Sequence, residues 1–253
     1  MGNSQQHNVS GVGNRAGDSS SHKEDDRSIG DEIEAVAQTM KPKLRGWFHA
    51  GTFPFAMAAG LTLVALAPTI PARFACAVFA LTSMLLFGTS AAYHRGDWST
   101  RVRTWLRRWD HSNIFLIIAG TYTPLAVMLL PQPQMRILLF VIWISAAAGI
   151  VFRIFWVGAP RWLYVPIYVG MGIAGIGYMG DFFRASVPVG ILILAGGVCY
   201  IAGAVIYGIK RPDPLPKYFG FHEIFHALTV AAFLTHYAGI LVAAVTTNPG
   251  IHL

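Results

Sequence analysis

Residues 220–247 read GFHEIFHALTVAAFLTHYAGILVAAVTT. This segment is long and apolar enough to cross a bilayer as a helix, since about 20 residues span the hydrocarbon core. Near its start, His222 and His226 are four positions apart. On a helix they lie on one face, about one turn apart, where two imidazoles can bind the same metal ion. Because ionisable groups are costly inside a membrane, the pair predicts a functional site.

Six further apolar runs of spanning length precede this segment. The chain has 253 residues, 54% of them hydrophobic, and a positive mean hydropathy. This composition is typical of a polytopic membrane protein. Proline and glycine residues separate the runs. We therefore predict an all-α bundle of seven transmembrane helices over residues 46–247, with spans at roughly 46–68, 72–94, 111–130, 135–157, 162–180, 187–208 and 220–247.

The two ends of the chain differ from this apolar body. Residues 1–45 are rich in Ser, Gly and charged residues and contain seven of the twelve carboxylates. Such a composition predicts a disordered tail, within which residues 29–40 have the pattern of a short interfacial helix. Residues 248–253 form a short carboxyl-terminal end.

The positions of Lys and Arg predict the orientation in the membrane. If the tail is cytoplasmic, thirteen Lys and Arg residues flank the spans on the cytoplasmic side and three flank them on the outer side. Cytoplasmic flanks carry the excess of Lys and Arg, so we predict a multi-pass protein of the cell membrane with its amino terminus inside and its carboxyl terminus outside. This topology explains the net charge of +7. We expect contacts with membrane lipids and none with nucleic acid.

Polar residues from three parts of the chain share one depth in this topology. Ser90 and His94 end the second span, Asp110 begins the third, and His222 and His226 lie in the first two turns of the seventh. This arrangement predicts a zinc site with His94, His222 and His226 as ligands and water at the fourth position. Asp110 and Ser90 would orient that water or handle its proton.

Three other histidines receive different interpretations. His49 lies near the same end of the bundle, but it lacks a partner one turn away and ranks below His94 as a ligand. His111 follows Asp110 and is interpreted as an interfacial side chain. His236 lies ten residues past His226, about 15 Å along a helix, which is too far to share its ion. We expect His236 to form a hydrogen bond with a neighbouring helix.

The order of these residues resembles the hemolysin III family. It is also similar to the wider progestin and adipoQ receptor superfamily, which includes the adiponectin receptors. The resemblance covers roughly residues 46–247 and rests on the motifs Ser90 to His94 (SAAYH), Trp109 to Ser112 (WDHS), Ala119 to Pro124 (AGTYTP), His222-x-x-x-His226 and His236-Tyr237. It implies a zinc ion bound by His94, His222 and His226 beside Asp110 and Ser90, and hydrolysis of a lipid amide.

Several functions stay open at this point. The first is a zinc-dependent hydrolase of a lipid amide or ester, with Asp110 favoured over Glu223 as the base. The second is a receptor or a pore-forming protein with a structural zinc, for which a closed site with a fourth protein ligand is expected; that ligand could be Asp110. An intramembrane metalloprotease is less favoured, because such enzymes usually take a carboxylate ligand from a second span.

Overall fold

The structure is a computed structural model that describes residue 2 and residues 46–156, 158–215 and 218–250. The predicted tail over residues 1–45, apart from residue 2, and its proposed interfacial helix at 29–40 lie outside the described residues. So do the last three residues of the predicted carboxyl-terminal end.

The described residues form helices and one isolated β-bridge, between Leu215 and Phe219. Within this part of the chain, seven helical segments are long and apolar enough to cross a membrane. The fifth segment consists of a helix at Arg161–Ile173, a 3₁₀ turn at Ala174–Tyr178, and a short helix at Met179–Ala185. The predicted all-α architecture with seven spans is thus confirmed. The helices are α1 (Trp47–Leu66), α2 (Ile70–Arg95), α3 (Thr100–Leu129), α4 (Gln132–Phe155), α5 (Arg161–Ile173), α6 (Met179–Ala185), α7 (Val187–Ile209) and α8 (Phe221–Thr246).

Two of the helices begin with side-chain caps. The Thr69 hydroxyl accepts a hydrogen bond from the backbone N–H of Ala72 at 3.3 Å, at the start of α2. The Ser186 hydroxyl accepts one from the N–H of Val189 at 3.5 Å, at the start of α7. Each cap satisfies an N–H group that the first turn of a helix leaves unpaired. Proline in the first turn of both helices fits the same position.

The third span begins earlier than predicted. Helix α3 starts at Thr100 rather than near residue 111, so Asp110 lies about 15 Å from the helix start instead of at it. Hydropathy detects only the apolar part of this helix. Arginine is nevertheless a good helix former, and the arginine-rich segment continues the helix beyond the apolar run. Asp110 therefore sits on a rigid element.

The fifth span is interrupted in the middle. Between α5 and α6 the chain forms a 3₁₀ turn in a glycine-rich segment. Tyr122 of α3 compensates for the interruption, because its hydroxyl donates a hydrogen bond to the Gly172 carbonyl and accepts one from the Gly175 N–H at 3.0 Å. Inside a bilayer such backbone groups need partners from the protein itself. A side chain of α3 thus stabilises the irregular fifth span.

Helices α7 and α8 pack closely through small residues. Ala195, Cys199 and Gly203 are small residues spaced four apart on α7, but Ala195 is exposed. The close contacts with α8 are made by Gly203 and by Gly196. A Cβ at position 196 would lie 2.6 Å from a ring carbon of His236. The contact face of α7 therefore includes Gly196 and Gly203 and leaves Ala195 outside it.

Candidate metal centre and its cavity

Three histidines predicted as ligands meet where the end of α2 lies beside the start of α8. The ligand nitrogens of His94, His222 and His226 all lie within 4.8 Å of one another. The Nε2 atoms of His94 and His222 are 3.3 Å apart. His94 comes from the last turn of α2, and the other two come from the first two turns of α8. The predicted i, i+4 pair is thus completed by a residue from a distant part of the sequence.

The spacing of these nitrogens fits a tetrahedral metal site. With Zn–N bonds of about 2.0–2.1 Å, two nitrogen ligands on a tetrahedral zinc ion lie about 3.3 Å apart. This agrees with the distance between His94 Nε2 and His222 Nε2. Imidazole is also a ligand that suits zinc and other late transition metals. The three side chains therefore form a possible metal site.

Asp110 and Ser90 lie beside the histidines. Asp110 Oδ2 is 4.0 Å from His94 Nε2, and its side chain is 13% exposed. Ser90 is buried, and its hydroxyl lies next to the Asp110 carboxyl without meeting hydrogen-bond geometry to any described residue. Both side chains line the same cavity as the histidines His222 and His226. The structure thus brings all five predicted site residues together, while their roles remain predictions.

Glu223 has a structural task in the first turn of α8. Its Oε2 atom accepts a hydrogen bond from the Gly220 N–H at 2.9 Å, which is half of a capping box. The side chain is buried but does not belong to the cavity wall, in contrast to Asp110. Of the two carboxylates left open by the sequence, Asp110 lines the cavity and Glu223 does not.

His49 is part of the site, although the sequence ranks it low. Its ring stacks on the His226 ring with centroids 3.9 Å apart and an interplanar angle of 8°. Phe87 contacts His49 edge-on, with centroids 5.1 Å apart. His49 is 2% exposed. The position of His49 near the same end of the bundle was the one indication in the sequence that it could join the site. The contact between α1 and α8 cannot be predicted from the sequence.

His111 is not a simple interfacial side chain. Its Nδ1 atom is 2.8 Å from the Arg107 carbonyl oxygen, and its Nε2 atom is 3.3 Å from the Tyr207 hydroxyl. The Tyr168 hydroxyl also donates to the His111 carbonyl at 3.1 Å. Since His111 Nδ1 lies 3.8 Å from Asp110 Oδ2, these contacts connect the site to α5 and α7. The sequence did not predict these tyrosines as neighbours of the site.

Arg153 extends this polar region to α4. From sequence it counts only as a flanking charge, yet the side chain is 1% exposed. Its guanidinium carbon lies 4.4 Å from the centre of the Tyr164 ring, and the Tyr164 hydroxyl is 3.4 Å from that of Tyr207. A cation over an aromatic face is stabilised by the ring electrons. The site is therefore backed by a cluster of tyrosines and a buried arginine.

A largely apolar cavity runs from the histidines into the bundle. Residues of α2, α3, α5, α7 and α8 line it, together with His49 of α1. Its wall is mostly aliphatic, and His236 and Tyr200 line it as well. The aliphatic lining includes Leu86, Ile118, Leu125, Val165 and Ile201.

The fold and site together define a class of protein: a multi-pass membrane protein with a histidine cluster between its second and seventh spans. The model of the family described as Haemolysin-III related matches residues 37–237. The chain therefore belongs to the haemolysin III family, as its motifs predict.

Characterised relatives support this assignment. The chain is 34% identical to Hemolysin-3 of Bacillus cereus over 140 residues, which is 55% of this chain and 64% of the relative. It is 30% identical to the Hemolysin-3 homolog of Bacillus subtilis (strain 168) over 154 residues, which is 60% of this chain and 69% of the relative. The adiponectin receptor protein of Drosophila melanogaster is 29% identical over 184 residues, covering 64% of this chain and 40% of that protein. The match to the Bacillus cereus protein thus spans just under two thirds of that relative.

Proposed function

We propose that this protein is a zinc-dependent hydrolase of a lipid amide or ester. The observation that carries this proposal is the convergence of three imidazole nitrogens within 4.8 Å of one another, beside the Asp110 carboxyl and at the edge of an apolar cavity. Ligand donors, a proton acceptor and an apolar binding space are thus adjacent. A hydrolytic metal site acting on a lipid requires all three.

His94, His222 and His226 would hold the zinc ion. A zinc ion held by these three ligands would act as a Lewis acid, which would polarise a carbonyl and lower the pKa of a water beside it. Asp110 lies 4.0 Å from His94 Nε2, so it can accept the proton of the attacking water and deliver it to the leaving group. The neighbouring Ser90 hydroxyl can orient the Asp110 carboxyl.

The cavity determines the substrate class in this proposal. Its mostly aliphatic wall matches an acyl chain. The lipid carbonyl would lie at the histidine cluster with the chain extending between the helices. A lipid is also the substrate to which a site within the bilayer has direct access.

One observation supports a second candidate, in which the protein is a receptor or a pore-forming protein with a structural zinc. Asp110 Oδ2 lies near enough to His94 Nε2 to become a fourth ligand after a small movement. Four protein ligands would close the site, and closed sites are structural rather than catalytic. An intramembrane protease is less supported, since Glu223 caps a helix instead of facing the cavity.

An assay of fatty-acid release tests the hydrolase. The purified, zinc-loaded protein is reconstituted with N-acyl lipids and acyl esters, and the released acid is quantified. We expect Asp110→Asn to abolish release and retain zinc. Asp181→Asn is the matched control, because Asp181 pairs with Arg184 in α6 and lies away from the cavity. Full turnover in Asp110→Asn would refute the role of Asp110, and loss of zinc in that variant would support the structural alternative.

A further inference from the structure

A second pair of polar side chains lies deeper in the cavity. His236 follows His226 by ten residues on α8, which places it about 15 Å further along the helix. Its ring stacks on Tyr200 of α7, with centroids 5.6 Å apart and an interplanar angle of 22°. Both residues line the cavity, and His236 is 6% exposed. The cavity therefore has a second polar pair, separated from the histidine cluster by a mostly aliphatic wall in which the Thr229 hydroxyl bonds to its own helix.

Two polar atoms of this pair are buried and lack a hydrogen-bond partner in the described part of the chain. The Tyr200 hydroxyl and His236 Nδ1 are shielded from solvent and meet hydrogen-bond geometry with no described residue. The carbonyls of Ile193 on α7 and Ala232 on α8 lie beside the His236 ring. The hydrogen bond expected from His236 to a neighbouring helix thus stays a prediction, with the Ile193 carbonyl as the acceptor it would use. A polar group left unsatisfied in an apolar interior is destabilising, so a ligand atom that bonds to it gains affinity.

The backbone of α7 holds the His236 ring in place. Gly196 packs directly on the ring, and a Cβ at that position would come within 2.6 Å of it. Tyr200 lies one turn further along the same helix and covers the other part of the ring. The orientation of His236 is therefore fixed by close packing, as expected for a binding site rather than a loosely placed side chain.

We propose that His236 and Tyr200 form a second polar subsite, which binds a hydroxyl or keto oxygen on the acyl chain of the substrate. This rests on the proposed function, which places the lipid carbonyl at the histidine cluster. Among the described residues that line the cavity, Asp110 is the sole Asp, Glu, Lys or Arg. The subsite therefore suits a neutral group, since a charged one would be buried without a counter-ion. The substrate class becomes an amide or ester of an oxygenated fatty acid.

The spacing between the two polar regions makes the subsite position-specific. An oxygen near the carbonyl would face the mostly aliphatic wall between the two histidine positions, where the Thr229 hydroxyl already donates to the Phe225 carbonyl, and it would lose its hydrogen bonds to water. An oxygen about 15 Å from the carbonyl would reach His236 and Tyr200. A water molecule bound by the pair is the competing possibility, and in that case an oxygenated chain would gain no affinity.

Binding of free fatty acids to the full, zinc-loaded protein in detergent tests the subsite. The probes are acids of one chain length, each with a hydroxyl at a different carbon, and the unsubstituted parent acid. We expect the affinity to peak for hydroxyls in the distal part of the chain, about twofold to tenfold above the parent acid. Tyr200→Phe removes one oxygen atom and should abolish most of this preference, and His236→Phe should weaken it as well.

Tyr237→Phe is the matched control, because Tyr237 packs on Phe55 and Phe233 and does not line the cavity. It should retain the preference. The subsite is refuted if no hydroxyl position binds better than the parent acid, or if Tyr200→Phe keeps the full preference. Since free acids are not hydrolysed, the outcome is independent of turnover. If hydroxylated acids bind better than the parent acid but no lipid is hydrolysed, only the proposed hydrolase is refuted. If lipids are hydrolysed but hydroxylated acids bind no better, only the subsite is refuted.

Discussion

The Nε2 atoms of His94 and His222 lie 3.3 Å apart, although 128 positions separate the two residues in the sequence. The end of α2 and the start of α8 bring them together at one end of the bundle. Each residue is on a regular helix, so the position of its side chain is well defined. A metal ion at this point would connect the second span to the seventh.

The first prediction concerns metal content. The detergent-purified protein should bind one zinc ion per chain. His94→Ala, His222→Ala and His226→Ala should each lose it, because two imidazoles alone rarely hold a tetrahedral zinc ion. Elemental analysis of the purified variants measures this directly. His236→Gln on α8 should keep its zinc, and retention of zinc in His94→Ala would contradict the site.

The second prediction concerns His49. Its ring stacks on His226 at 3.9 Å, so His49→Ala should leave space beside that ligand and loosen its orientation. We expect zinc affinity to fall about tenfold or more, as for other side chains that orient metal ligands. Competition with a chelator measures the change. His49→Phe restores a flat ring and should recover most of the zinc affinity. If His49→Phe instead loses as much zinc affinity as His49→Ala, the imidazole nitrogens of His49 matter and stacking alone does not explain its role.

The third prediction concerns helix packing in α1. A Cβ at Gly60 would collide with Ala80 of α2, whereas one at Gly51 meets nothing within 4 Å. Gly60→Ala should lower the free energy of unfolding by about 1–3 kcal/mol through overpacking. Gly51→Ala should not lower it. Thermal unfolding of the two variants in one detergent provides the comparison, and equal stability would show that α1 and α2 do not pack this closely.

The fourth prediction concerns the interrupted fifth span. Tyr122→Phe removes the hydroxyl that bonds to Gly172 and Gly175. Unsatisfied backbone groups in the bilayer favour local opening, so amide hydrogen exchange should accelerate in residues 172–178. Mass spectrometry of peptides from this span measures the rate. Exchange in α7 serves as the internal reference, and an unchanged rate near Gly175 would show that other groups satisfy the turn.

Local pattern predicted much of the site, since His222 and His226 share a helix face at a fixed spacing. The predicted depth in the membrane then added Ser90, His94 and Asp110 to the site, because the length and orientation of each predicted helix place these residues at the same depth as His222 and His226. The same reasoning placed the start of α3 too late, since hydropathy ignores helical residues outside the bilayer core. It also gave no information on which faces of the helices meet.

The sequence by itself determined that this protein has seven spans and which polar residues share one end of the bundle. The lengths of the apolar segments and the positions of the charged residues are properties of the chain. In a bilayer they determine how deep each residue lies in the membrane. Only the tertiary structure decided that His49 stacks on His226, that Glu223 caps α8, and that the cavity extends to His236. These relationships depend on the rotation of each helix about its axis. Close contacts such as that of Gly196 with His236 set this rotation, and they form only when all the helices pack together.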